Sequence, residues 1–281
     1  MIPQSKQIVI EKSAFDGIKT EELCDFAKHH VLLVSDSLLY ECATSDDRRK
    51  VGLDRCERLI RAGAYWCTMS TEYIEWEGKN CHPYPALLAN IQKTEWVRAQ
   101  TESLENMLGP EITGMARNSR WTFAEEAYIQ RTKNAGEDTR SNCPETVAGI
   151  KGLPRGRISR LRVWLEWADK STIVREMALR LLPRQWISSP SQFCTSPQWI
   201  TWQYLRLFLA IEWDYVHLRL SGGNPAKRGA EHDDQDAECV LLLSRADAII
   251  TRDKKLVEPL ARAAFPNKDV FSSLEEVPES Y

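Results

Sequence analysis

The sequence predicts an α/β fold with a central parallel sheet and a large all-helical insertion. Three observations lead there. Short apolar, β-branched runs at residues 7–10 and 31–34 flank an amphipathic helical stretch, the pattern of a right-handed β-α-β unit. A third such run, residues 248–251, follows an apolar helical stretch much later in the chain. Between them, residues from about 65 to 199 keep no alternating rhythm and read as helix by period and composition.

Taken in order, residues 7–10 (QIVI) form a buried central strand ending in Glu11, a carboxylate at the strand tip. Thr20 begins an amphipathic helix as its N-cap. Leu23, Phe26 and Ala27 share one face of that helix, and Lys28, His29 and His30 stand at the end where the helix dipole favours cations. Residues 31–34 are the second strand. Ser35 or Asp36 then caps a helix carrying Leu38, Leu39, Tyr40 and Glu41. No cation follows Glu41 one turn on, because residues 44 and 45 are Thr and Ser, so this carboxylate needs another partner. Residues 46–63 read as a charged helix with Leu53, Cys56, Leu59 and Ile60 at core spacing and Gly63 as its stop.

The middle of the chain contains the helical fragments TEWVRAQTESLENML, WTFAEEAYIQRTK, ISRLRVWLEWADKSTIVREMALRLL and WITWQYLRLFLAIEWDYVHLRL. Residues 134–156 are poor in apolar side chains and read as a loop. The expected organisation is a first sheet part at 1–64, a helical insertion at 65–225, and a second sheet part at 226–281. In that last part Asp233, Asp234 and Asp236 sit in the first turn of a helix, Val240, Leu241, Leu242 and Leu243 pack it on the sheet, and the strand 248–251 leads to Asp253. Carboxyl ends of parallel strands are where open α/β sheets hold ligands. Each aspartate is also a natural helix cap, and both readings stand at this level.

Composition sets limits. At 281 residues, with 43% hydrophobic and 27% charged, the chain is an ordinary globular sequence with ample material for a core. No apolar run reaches the roughly 18 residues of a membrane span, and the start MIPQSKQIVIEKS lacks the apolar stretch of a secretory signal. A cytoplasmic location and no membrane partner are the expectation. The eight cysteines include no C-x-x-C pair and read as reduced thiols. A net charge of −3 requires any nucleic-acid contact to be local.

Glu11, Glu41, Asp236 and Asp253, in the segments IVIEKSAF, SDSLLYECATS and DDQDAECVLLLSRADAIITRD, together with the tail DVFSSLEEV, resemble the acidic motifs of PIN-like domain nucleases. The resemblance covers about residues 7–63 and 230–275 and implies a PIN-like (Rossmann-like) three-layer fold. It implies that Glu11, Glu41, Asp236 and Asp253 are the catalytic, metal-binding residues of a Mg2+- or Mn2+-dependent endonuclease leaving a 5′ phosphate. Such enzymes usually carry Asp at the first position. Glu11 keeps the charge with a longer reach, and Asp16 is a substitute candidate. Asp233 and Asp234 are second-rank acids of the outer shell. Independently of the resemblance, four carboxylates at one sheet edge repel one another unless protons or a hard divalent cation intervene.

The expected partner is nucleic acid, single-stranded RNA first, with a second copy of the chain or a regulatory protein as a further candidate. Lys151, Arg155, Arg157, Arg160 and Arg162 open a tryptophan-rich helix that could track a phosphate backbone while Trp164 or Trp167 stacks on bases. A solvated helix face with buried tryptophans is the competing reading. His82, His217 and His232 show no ligand spacing. The leading expectation is a ribonuclease acting as a toxin, a defence effector or an RNA-processing enzyme. The alternatives are a DNA endonuclease or a PIN-like scaffold without catalysis. A nucleotide-binding α/β protein is disfavoured because no G-x-G-x-x-G or G-x-x-x-x-G-K-[ST] follows the first strand.

Overall fold

The structure, a computed structural model, describes residues 5–35, 38, 53–67, 70–85, 152–172, 174, 196–223 and 233–279. Strand β1 (Gln7–Ile10) pairs in parallel with β2 (Val31–Ser35) on one side and with β4 (Ala248–Ile250) on the other. Strands β3 (Tyr65–Cys67) and β5 (Asp269–Phe271) extend the sheet outside β2 and β4, giving the parallel order β3-β2-β1-β4-β5. The pairing of residues 7–10, 31–34 and 248–250 as neighbours is the one their apolar, β-branched sequences predict.

Side chains alternate across this sheet. Ile8, Ile10, Leu32, Val34, Ala248 and Ile250 join one core with helices α1 (Lys12–Phe15), α2 (Thr20–Phe26) and α3 (Leu53–Arg61). Val9, Leu33 and Ile249 join the other, a core shared with α4 (Ser70–Asn80), α5 (Arg157–Lys170), α6 (Ile200–Leu220), α7 (Asp233–Leu242) and α8 (Val257–Ala264), in which α7 and α8 lie against the strands, α5 and α6 pack on those two helices, and α4 packs on α6. Burial on both faces explains why β1, β2 and β4 are continuous apolar runs. Gly63 ends α3 with φ +69, and its N–H donates to the Ile60 carbonyl at 3.0 Å, so the predicted stop is a left-handed C-terminal residue.

Three sequence expectations need correction. Thr20 is the first residue of α2; the flanking position is Lys19, whose N–H donates to Glu22 Oε2 at 3.1 Å. Ser35 is the last residue of β2, and its hydroxyl meets Cys239 Sγ at 3.0 Å in the interior. The boundary at residue 64 falls just before β3, which belongs to the sheet. The described parts of span 65–225 are built into the α/β core: β3 extends the sheet, and α4, α5 and α6 share the core on one of its faces, packed onto other helices. Its other residues lie outside those described.

Buried carboxylates tie this helical face together. Glu77, near the end of α4, is 0% exposed. Its Oε1 accepts the N–H groups of Tyr84 and Ile200 at 2.9 and 2.8 Å, and its Oε2 accepts the Thr201 N–H and hydroxyl at 2.8 and 2.7 Å. The N-terminus of α6 is thus capped by a side chain from another helix, at the end where the helix dipole favours negative charge. Further along α6, Asp214 receives Arg157 Nε at 3.0 Å and Arg160 Nε at 2.8 Å, and Arg206 reaches Asp169 at 2.8 Å. These pairings run in opposite directions along the two helices, so α5 and α6 are antiparallel.

Replacing Glu77 by Ala strips three buried backbone donors of their acceptor, each worth about 1–3 kcal/mol. The expected outcome is a loss of about 3 kcal/mol or more in urea unfolding, with an unchanged slope. A midpoint that hardly moves would show that α6 does not depend on this cap.

Candidate active site at the carboxyl edge of the sheet

The strand order reverses its direction of growth between β1 and β4: from β1 the chain winds outward to β2 and β3, then returns to β4 and β5. A crevice opens outside the carboxyl ends of two such strands, because their connections leave in opposite directions. Glu11 follows β1 directly, and Asp253 lies three residues beyond the end of β4. Both predicted strand-tip acids therefore stand at the switch point.

Their surroundings differ. Glu11 is 6% exposed and caps α1: Oε1 accepts the Ser13 N–H at 2.9 Å, while Oε2 accepts the hydroxyls of Ser13 and Thr251, the latter at 2.9 Å. The Thr251 hydroxyl also accepts the Asp253 N–H at 3.0 Å, and the Ser13 hydroxyl accepts the Arg252 N–H at 2.9 Å. A network of two hydroxyls and one carboxylate thus joins the tips of β1 and β4. Asp253 is half-buried and turns its Oδ1 onto the N–H groups of Lys255 and Leu256, at 2.5 and 3.0 Å, just ahead of α8. It is a cap and a strand-tip acid at once. Its Oδ2 has no hydrogen-bond partner among the described residues.

Burial is the largest influence on Glu11 and pushes its pKa up. The bonds from Ser13 and Thr251 pull it down, and the Asp253 charge pushes it up again. The net direction is upward, so the two acids sense each other and the site disfavours negative charge at Glu11.

The third acid comes from α7. That helix runs from the carboxyl edge back toward the start of β4, and Cys239 on it meets Ser35 at the tip of β2. Asp236 stands three positions earlier, on the same face, so it lies beyond that contact on the crevice side. It is half-buried, and Asp233 is buried at the start of the helix. Glu238 turns instead toward α4, accepting the Ser70 N–H at 3.2 Å and its hydroxyl at 2.5 Å. Glu41 and His232, and the side chain of Asp234, fall outside the described residues. Asp16 is drawn to Arg55 Nε at 2.8 Å and takes no part in the network around Glu11. Among the described residues, no three His, Cys, Asp or Glu side chains are grouped closely enough to hold a metal ion. The donor chemistry present, carboxylate oxygen at a crowded sheet edge, is of the kind that suits Mg2+ or Mn2+, and the described set is short of ligands.

The basic segment divides in two. Arg157 and Arg160 are committed to Asp214, and Arg160 is 8% exposed, so these two do not form a phosphate-tracking row. Arg155 and Arg162 remain exposed. Trp164 is half-buried and stacks on Trp213 with centroids 5.4 Å apart, while Trp167, 40% exposed, meets the same ring edge-on. Sequence reasoning named Arg155 but overlooked Lys254 and Lys255, two exposed cations beside Asp253. Lys254 and Lys255 directly follow Asp253, and Arg155 lies beside them because Arg157 donates to the Lys255 carbonyl. None of these three has a carboxylate partner among the described residues. Reading Thr-Arg-Asp-Lys-Lys as one unit was the signal for them. Nothing local pointed to Ser13 or Thr251 as bridging groups. No family model, curated protein or solved structure matches the chain.

A raised Glu11 pKa makes the folded state bind more protons than the unfolded chain above the ordinary value of 4.5. Stability contributed by this group is therefore present at low pH and falls as pH rises through its folded pKa. Titrating the unfolding free energy of the metal-free protein should show that falling limb, and Glu11→Gln should flatten it. Equal limbs in both proteins would mean that Glu11 is not the strained acid.

Proposed function

We propose that the chain is a PIN-like, Mg2+- or Mn2+-dependent endonuclease that hydrolyses phosphodiester bonds, with single-stranded RNA as its first substrate. The observation that carries this reading is the meeting of Glu11 and Asp253 at the switch point, where burial and mutual repulsion make a cation favourable. Asp236 approaches from α7, and Glu41, on the segment after β2, is the acid that would complete the set. A bound divalent cation would supply charge neutralisation, a grip on the phosphate and an activated water.

The chain's own groups have separable tasks. Glu11 is held by Ser13 and Thr251, so its carboxylate is oriented before any ligand arrives. Asp253 is fixed by its turn through Oδ1, leaving Oδ2 without a hydrogen-bond partner among the described residues. Arg155, Lys254 and Lys255 rim the acids with positive charge and would meet the phosphates flanking the cut bond. Arg162 stands on the side of α5 toward α8, while Trp167, on the side toward α6, has an exposed indole that offers a separate stacking surface for a base.

One observation favours a second reading, a PIN-like scaffold without catalysis. Both oxygens of Glu11 already accept hydrogen bonds, as a purely structural cap would require. The two readings separate on labelled single-stranded RNA and DNA with Mg2+ or Mn2+, using Asp253→Asn and Asp236→Asn beside the parent protein. The nuclease reading expects metal-dependent cleavage by the parent, abolished in both variants, with the metal-free fold intact. Preferential cleavage of DNA would reassign the substrate, and no cleavage with any metal would favour the scaffold.

For the substrate path, Arg155→Gln with Arg162→Gln should lower the salt dependence of single-strand binding by about 1.4 log units per log unit of salt, from about 0.7 per phosphate contact. An unchanged slope would place the nucleic acid elsewhere.

A further inference from the structure

The turn bearing Asp253 is gripped from outside the sheet. Arg157, at the first position of α5, has its Nε on Asp214 Oδ2 at 3.0 Å and donates through Nη1 to the backbone carbonyl of Lys255. Asp214 is 4% exposed and is itself fixed through its other oxygen by Arg160 Nε at 2.8 Å. The guanidinium also lies 5.8 Å from the Tyr215 ring centroid. Farther along, Arg162 reaches the Arg262 carbonyl at 3.5 Å, so α5 runs beside α8 in the same direction. The turn lies just ahead of α8 and carries few bonds of its own: the Asp253 N–H on the Thr251 hydroxyl at 3.0 Å, two N–H bonds to Asp253 Oδ1, and the Glu258 N–H on the Asp253 carbonyl at 2.9 Å.

From this geometry we propose that Arg157 is a positioning residue: with Asp214 behind it, it latches the Lys255 carbonyl and so holds the Asp253 carboxylate in place. The proposal rests on the reading of Asp253 as a site group for its functional meaning, but the latch itself is a property of the fold. A guanidinium suits this task because its fixed fork can meet a carboxylate and a carbonyl at once, where a single ammonium offers no comparable planar pair of directions. Arg160 provides the comparison. It binds the same aspartate and donates to the Arg155 carbonyl at 2.6 Å, yet makes no contact with the turn. Losing Arg160 loosens α5 on α6, whereas losing Arg157 also releases the turn.

Amide hydrogen exchange resolves the two effects, because surface turns exchange through local opening rather than global unfolding. In Arg157→Gln the Lys255 and Leu256 amides should exchange about tenfold faster, the scale of a lost bond to a charged group. In Arg160→Gln they should keep the parent rate. Arg157→Lys, which keeps charge beside Asp214, serves as the variant that retains the fold, and it should still speed exchange in the turn. Mn2+ binding, followed by its spin signal, adds a readout that a merely structural arginine would not move: affinity should drop in both Arg157 variants and not in Arg160→Gln. Turn amides that exchange alike in the parent and the Arg157 variants, or equally fast in the Arg157 and Arg160 variants, overturn the latch. A parent protein that binds no Mn2+ counts against the nuclease reading, while the exchange rates still decide the latch.

Discussion

The pairing of β1 with β4 is the constraint on which the remaining structure depends. It joins residues some 240 positions apart, as the bond from the Gln7 N–H to Asp247 Oδ2 at 2.8 Å records. Closing a loop of that length costs about 5 kcal/mol in the simplest chain model. Both ends of the pairing are stitched beyond the ladder itself. At the amino edge the Asp247 N–H returns to the Gln7 carbonyl at 2.8 Å, and at the carboxyl edge the Glu11 N–H donates to the Ile250 carbonyl at 3.0 Å. The candidate site is the carboxyl-edge stitch. Whatever Glu11 and Asp253 do chemically, they stand together because the centre of the sheet is closed there.

A second layer of constraint is carried by acids away from that site. Glu238 holds the start of α4, Glu77 at the far end of α4 holds the start of α6, and Asp214 on α6 holds the start of α5. Each carboxylate lies near the N-terminal end of the helix it holds, where exposed N–H groups and the dipole favour negative charge. Removing one partner from a buried pair such as Asp214 with Arg160 leaves an uncompensated charge, which is costly even where the intact pair contributes little net stability. The helical face is therefore aligned by polar contacts of fixed geometry, over an apolar core that would tolerate sliding.

Legibility in the sequence followed the range of the signal. Strands β1, β2 and β4 were readable because burial on both faces leaves short unbroken apolar runs, and Gly63 because a left-handed residue at a helix end favours glycine. Glu11 and Asp253 were readable as strand-tip acids from the same runs. Strand β3 was not, since Tyr65, Trp66 and Cys67 are too few to show a period. Helix α6 is buried around much of its circumference, so its sequence announces a helix without saying which face meets which neighbouring helix. Arg157 and Arg160 looked like part of a solvent-facing basic stripe because their partner lies 57 and 54 residues away, a separation that no local pattern reveals.

The central position of β4 also shapes how the protein is made. During synthesis β1 and β2 emerge early and can pair, but the inner edge of β1 stays open until the residues of β4 leave the ribosome. At about 5–20 residues per second that interval is roughly ten to fifty seconds. Throughout it an apolar strand edge flanked by Ile8 and Ile10 has no neighbour, an arrangement that invites pairing with other chains. A chain cut short before Ala248 would carry that exposed edge permanently. The sheet order thus leaves the inner edge of the first strand open to pairing with other chains until the fourth has been made.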